Sequence, residues 1–131
     1  MREFQSKTMK ILGLDHIQLA IPTGSEEEAR KFYVQLLGLT ELAKPSELAG
    51  RGGAWFQCGE LQLHLGIEKE FRPAKKAHPA LRVQQLAVLL TLLREAGCEV
   101  TDDHSLPGVK RAFTQDPFGN RIELVASENA V

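Results

Sequence analysis

The chain reads as an α+β protein made of two tandem βαβββ modules. These form a curved mixed sheet around a cleft, with the helices on the outer face. Two observations predict this. The same order of elements occurs twice at nearly equal spacing: 26 positions separate Gly38 from His64 and 26 separate Gly97 from Glu123, while His16 to Gly38 is 22 and His78 to Gly97 is 19. Along the predicted strands, apolar and polar residues alternate, so one face of the sheet is aliphatic and can pack under helices while the other is polar. The modules span 12–66 and 78–126, joined by the charged, proline-containing linker 67–77. Together they make one domain over 12–126, with tails at 1–11 and 127–131.

A first strand is expected near 14–21 in LDHIQLAI. Ser25 with Glu28 three residues on has the form of a capping box and opens a helix. Ala29, Phe32, Leu36 and Leu37 recur at helical spacing as its buried face, and Gly38 ends it. Strands follow near 40–43, 53–58 and 60–66, with Gly50, Gly52, Gly53 and Gly59 breaking the chain between them. The second module opens with a strand at 78–83. Its helix covers about 85–96, with Leu86, Leu89, Leu90 and Leu93 as the apolar stripe and Gly97 after it. CEVT, KRAFTQ and NRIELVA supply three more strands, and DPFGN at 116–120 is a tight turn between the last two.

A chain of 131 residues, 43% hydrophobic, is long enough to bury a core as one domain. Its net charge of −1 gives no reason to expect nucleic acid or a membrane surface as partner. The N-terminal MREFQSKTMK lacks the apolar stretch of a signal peptide, and no segment approaches a membrane span of about 20 apolar residues, so a cytoplasmic location is expected. Cys58 and Cys98 then read as reduced thiols, with Cys58 in the core beside Ala54 and Phe56. Trp55 and Phe56 lie on opposite faces of one strand, and parity alone does not say which faces the cleft.

Strand parity also gathers the chemistry. His16 shares a face with Gln18 and Ala20, His64 with Gln62, His78 with Ala80 and Arg82, and Glu123 with Arg121. Each module thus carries one candidate ligand at its first strand and one on its last. Imidazole and carboxylate in this mixture suit a borderline divalent cation such as Zn, Ni, Co, Mn or Fe(II), and two half-barrels side by side are expected to bring His16, His64, His78 and Glu123 to one cleft. Arg82 and Arg121 share the polar face and are candidates to hold an anionic group of a substrate; the alternative is that they point past the rim or pair with acidic neighbours. His104, in DDHSLPG, reads as a solvated loop residue.

These segments resemble the vicinal oxygen chelate superfamily, which includes glyoxalases, fosfomycin and bleomycin resistance proteins, methylmalonyl-CoA epimerases and extradiol dioxygenases. LDHIQLAI with SEEEARKFYVQLLGL is similar to its first half, and AHPALRV, LLREAGCEV and DPFGNRIELV to its second, over roughly residues 12–126. The resemblance implies a glyoxalase-like fold, one divalent metal ion held by His16, His64, His78 and Glu123, a small-molecule substrate chelating it through vicinal oxygens, and a homodimer. It implies lyase, isomerase or thiol-transfer chemistry, with a drug-binding protein of the bleomycin-resistance kind or an Fe(II) extradiol-type dioxygenase as alternatives. Bacterial glyoxalase I enzymes typically have Glu where this chain has His64, a change that removes one negative charge and the usual base. The trio His16, His78 and Glu123 is similar to what the fosfomycin-modifying and dioxygenase branches use. A dioxygenase further needs an acid–base His or Tyr, and this chain offers only Tyr33, in a helix, and His104. His64 is the candidate base if it does not bind the metal.

Overall fold

A computed structural model describes residues 9–128. Eight strands and two helices follow the duplicated order. The first module holds β1 (His16–Ile21), α1 (Glu26–Arg30, continued as a wider π-helical turn over Lys31–Leu36), β2 (Thr40–Leu42), β3 (Ala54–Cys58) and β4 (Leu61–Ile67). The second holds β5 (Ala80–Val83), α2 (Leu86–Glu95), β6 (Val100–Asp103), β7 (Arg111–Gln115) and β8 (Arg121–Ala126). The predicted curved sheet is built as two four-stranded sheets, ordered β1-β4-β3-β2 and β5-β8-β7-β6. In each, the last strand returns to lie parallel to the first, and the other pairings are antiparallel. That return places the first- and last-strand residues of a module side by side.

The aliphatic face of each sheet meets a helix, as strand alternation requires. In the first module Ile21, Phe56, Leu63 and Leu65 pack with Ala29, Phe32 and Tyr33; in the second Ala112, Ile122 and Leu124 pack with Leu86, Leu90 and Leu93. The buried stripe of α1 therefore includes Tyr33, while Leu36 and Leu37 are only partly covered. The helix widens there, with the Leu37 N–H donating to the Phe32 carbonyl five residues back (2.9 Å), the spacing of a π-turn. The expected capping box does not form. The Ser25 hydroxyl donates to the Pro22 carbonyl (2.6 Å) and caps no helix N–H. In the first turn, the Glu26 carboxylate accepts the Gly53 N–H (2.8 Å). Gly53 has no substitute, since it has φ +82° and an added Cβ would lie 2.1 Å from the Leu65 carbonyl oxygen.

The two modules are locked together by a buried polar cluster. The Tyr33 hydroxyl donates to Asp116 Oδ2 (2.7 Å), as does the Asn120 amide (2.8 Å), which also reaches the Ala20 carbonyl (2.9 Å). Asp116 Oδ1 accepts the Phe118 and Asn120 N–H groups at 3.0 and 2.9 Å, so the DPFGN turn carries its own cap. Among the described residues, no helix is long and apolar enough to cross a membrane.

Candidate metal centre

The strand register gives both modules one geometry. In the first, Gln18 pairs with His64 and His16 precedes Gln18 by two; in the second, Ala80 pairs with Glu123 and His78 precedes Ala80 by two. His16 and His78 are thus equivalent, as are His64 and Glu123. Each pair stands diagonally across neighbouring parallel segments, His16 at the start of β1 and His78 two residues before β5, within reach of long side chains.

In the second module the pair meets directly. His78 Nε2 lies 3.0 Å from Glu123 Oε1, and the His78 Nδ1–H donates to the Lys76 carbonyl (2.8 Å), which fixes the ring with Nε2 toward the carboxylate. The hydrogen bond between them needs a proton, and a divalent ion bound by the same two atoms would take that proton's place. Glu123 is 8% exposed, and its other oxygen accepts the Arg111 guanidinium at 3.0 Å. Arg111 also reaches Asp103 (3.0 Å) and Ser105 (3.2 Å), so it ties the β6–β7 connection to the candidate ligand.

In the first module the rings stack instead. His64 is sandwiched between Trp55, 3.9 Å away and parallel within 2°, and His16, 4.3 Å away. Trp55, directly opposite His64 in the ladder, is therefore the residue that faces the cleft, and Phe56 is the one in the core. The His16 Nδ1–H donates to Asp15 (2.9 Å), so Nε2 is the ring nitrogen left for another partner. His64 differs, because its Nε2 is committed to Gln62 Oε1 (2.9 Å). Burial, then the neighbouring His16, hold the His64 imidazole below its ordinary value, against an opposing pull from Asp15.

Within one chain the four residues stand as two pairs, and among the described residues no three His, Cys, Asp or Glu side chains are grouped to hold an ion. The donor types, three imidazoles and one carboxylate, are ones that a borderline divalent metal takes. Of the two arginines singled out in the sequence, Arg121 lies 4.1 Å over the Phe113 ring. With Lys75, Thr101 and Gln115 it lines a cavity of about 270 Å³ on the Glu123 face. Arg82 is exposed and makes no ion pair among the described residues. His104 is exposed, as expected.

Arg111 is the residue that sequence reasoning missed. Its parity matches Phe113 and Gln115, but only the β7–β8 register shows that this face is the one carrying Glu123. Replacing Arg111 with methionine is expected to destabilise the metal-free protein by about 1–3 kcal/mol, since two carboxylates lose their shared donor. A denaturant midpoint equal to that of the wild type at unchanged slope would refute this.

The fold and its two faces define a class: paired βαβββ proteins that present His and carboxylate side chains on the face of each sheet turned away from the helices. The family model for the glyoxalase, bleomycin resistance protein and dioxygenase superfamily matches residues 13–124, and the chain belongs to that superfamily. It is 48% identical to a glyoxalase family protein from Bacillus anthracis, covering 93% of this chain and 98% of that one at a TM-score of 0.87. The fosfomycin resistance protein FosX from Listeria monocytogenes, solved as a glutamate-to-glutamine mutant with Mn(II) and 1S,2S-dihydroxypropylphosphonic acid, shares the fold at 18% identity (TM-score 0.75, coverage 89% and 93%). So does TnmS3, an antibiotic-binding protein from Streptomyces sp. CB03234, at 23% identity (TM-score 0.64, coverage 89% and 98%). No curated protein matches the sequence.

Proposed function

We propose that this protein is a divalent-metal-dependent enzyme of the vicinal oxygen chelate type, acting on a small substrate, and that its metal site is completed between two copies of the chain. One observation carries the reading: each module sets two candidate ligands at matching register positions, and among the described residues no three such side chains are grouped within one chain. His78 and Glu123 of one copy with His16 of a second give two imidazoles and one carboxylate, which leaves coordination positions open. A bound ion would supply Lewis acidity toward two adjacent substrate oxygens.

The chain's own residues do the rest. Asp15 and the Lys76 carbonyl orient the two histidines that would hold the ion, and Arg111 holds the second oxygen of Glu123, so the first would be left for the ion. His64, neutral and with Nε2–H given to Gln62, keeps a lone pair on Nδ1 and is the base that takes a substrate proton. The Trp55 and His16 rings on either side fix its plane. Arg121, held over Phe113 beside Glu123, serves an anionic substrate group better than Arg82, which has no such support. The likeness of TnmS3 points to an alternative, a binding protein without catalysis. The full His and Glu set of this chain favours the enzyme.

Mixing two inactive variants tests the split site. His16→Ala and Glu123→Ala proteins are each expected to bind almost no Zn or Mn, while their equimolar mixture, after subunit exchange, regains about half of the wild-type sites per heterodimer. If each site lay within one chain, the mixture would stay as empty as its components.

A further inference from the structure

We propose that residues 9–14, the segment MKILGL, form an arm that packs on a second copy of this chain. The inference rests on the two-copy reading of the site but goes beyond it, because it assigns the contact to a particular segment. Met9, Ile11, Leu12 and Leu14 are 70%, 95%, 94% and 66% exposed. Ile11 and Leu12 are adjacent, so opposite sides of the segment are bare together, and a rim residue with one covered side would not show this. A Cβ built on Gly13 beside them meets nothing within 4 Å, and the φ of +152° at that glycine turns the backbone as few other residues would. Four large apolar residues in six positions, each at least 66% exposed, are a contiguous patch of the kind that marks a protein contact.

Two further features say what covers it. The arm runs directly into β1, an edge strand whose outer side has no strand partner among the described residues, and β1 begins with His16, whose neighbour on the last strand of its module is His64 rather than a carboxylate. An open groove of about 410 Å³ lies where β1 faces the start of the second module, lined mostly by apolar residues such as Ile17, Leu19, Ala77 and Pro79, with His78 and Arg121 among its polar ones. An apolar arm fits that mostly apolar lining. In a two-fold dimer each copy gives its arm and receives the other, and the exchange brings the His16 end of one chain toward the His78 edge of its partner.

Sedimentation velocity on the full chain and on an Ile11→Asp/Leu12→Asp variant tests the arm. The wild type is expected to be dimeric and the variant to dissociate with a Kd raised about 100-fold or more, its far-ultraviolet circular dichroism unchanged. A variant that dimerises like the wild type overturns the arm and leaves the two-copy site standing. A wild type that remains monomeric at about 100 μM overturns both. Should the variant misfold, amide exchange of residues 9–14 in the wild type decides: protection that grows with protein concentration upholds the arm, and fast exchange at every concentration overturns it.

Discussion

Replacing Glu123 with alanine is expected to abolish metal binding, lowering affinity by more than the 10–100-fold typical of the residues that orient ligands. Elemental analysis of protein purified without an affinity tag reads this as near-stoichiometric metal in the wild type and under a tenth of that in the variant. Glu123 is nearly buried and bonded to both His78 and Arg111, so its loss also leaves two donors without an acceptor. A drop of about 1–3 kcal/mol in metal-free stability should accompany the loss of metal. Glu123→Gln separates the two effects, because it keeps the shape and an acceptor oxygen but removes the charge: it should recover much of the stability and little of the metal. Full metal content in Glu123→Ala would remove the carboxylate from the site.

The largest effect on folding is expected at Asp116. Its carboxylate takes the Tyr33 hydroxyl, the Asn120 amide and two backbone N–H groups, at 4% exposure, and it joins the helix of one module to the turn of the other. Asp116→Ala strands four donors and should cost about 3–5 kcal/mol, a fall in Tm of roughly 10–20 °C. Tyr33→Phe removes one hydrogen bond and should cost about 1 kcal/mol. The Tyr33 phenol also makes this link depend on pH. Burial above all, and then Asp116, raise it well above its ordinary 10.0. Below that ordinary value both folded and unfolded chains keep the proton. Above it only the unfolded chain releases one, so stability falls as pH rises past 10. Tyr33 is the only tyrosine, so the near-ultraviolet absorbance of tyrosinate follows it alone. Ionisation that appears only on unfolding agrees with the buried network; ionisation near 10 in the folded protein would contradict it.

Much of this was legible in the sequence. The equal spacing of Gly38 to His64 and Gly97 to Glu123 marks a true structural equivalence, since in both modules the last-strand residue pairs with the one two after the leading histidine, although the strand expected from 78 begins only at Ala80. Leu86, Leu90 and Leu93 face the core as their period requires, and Gly38 and Gly97 adopt the positive φ that ends a helix, at 79° and 88°. Other features depended on context. Ser25 and Glu28 have the spacing of a capping box, yet the Ser25 hydroxyl donates to the Pro22 carbonyl and caps no helix N–H. Tyr33 reads as an ordinary helical residue until Asp116, 83 positions away, supplies its partner.

The sequence by itself determined the duplicated modules, the two faces of each sheet and the side chains on the polar face, because alternation and turn chemistry are local and survive without a partner. The tertiary structure decided the rest: which strand pairs with which, and hence that Arg111 holds Glu123, that Trp55 rather than Phe56 stacks on His64, and that the four candidate ligands stand as two pairs. Register and the packing of one module against the other are set by contacts between residues far apart in the chain, which no local pattern encodes.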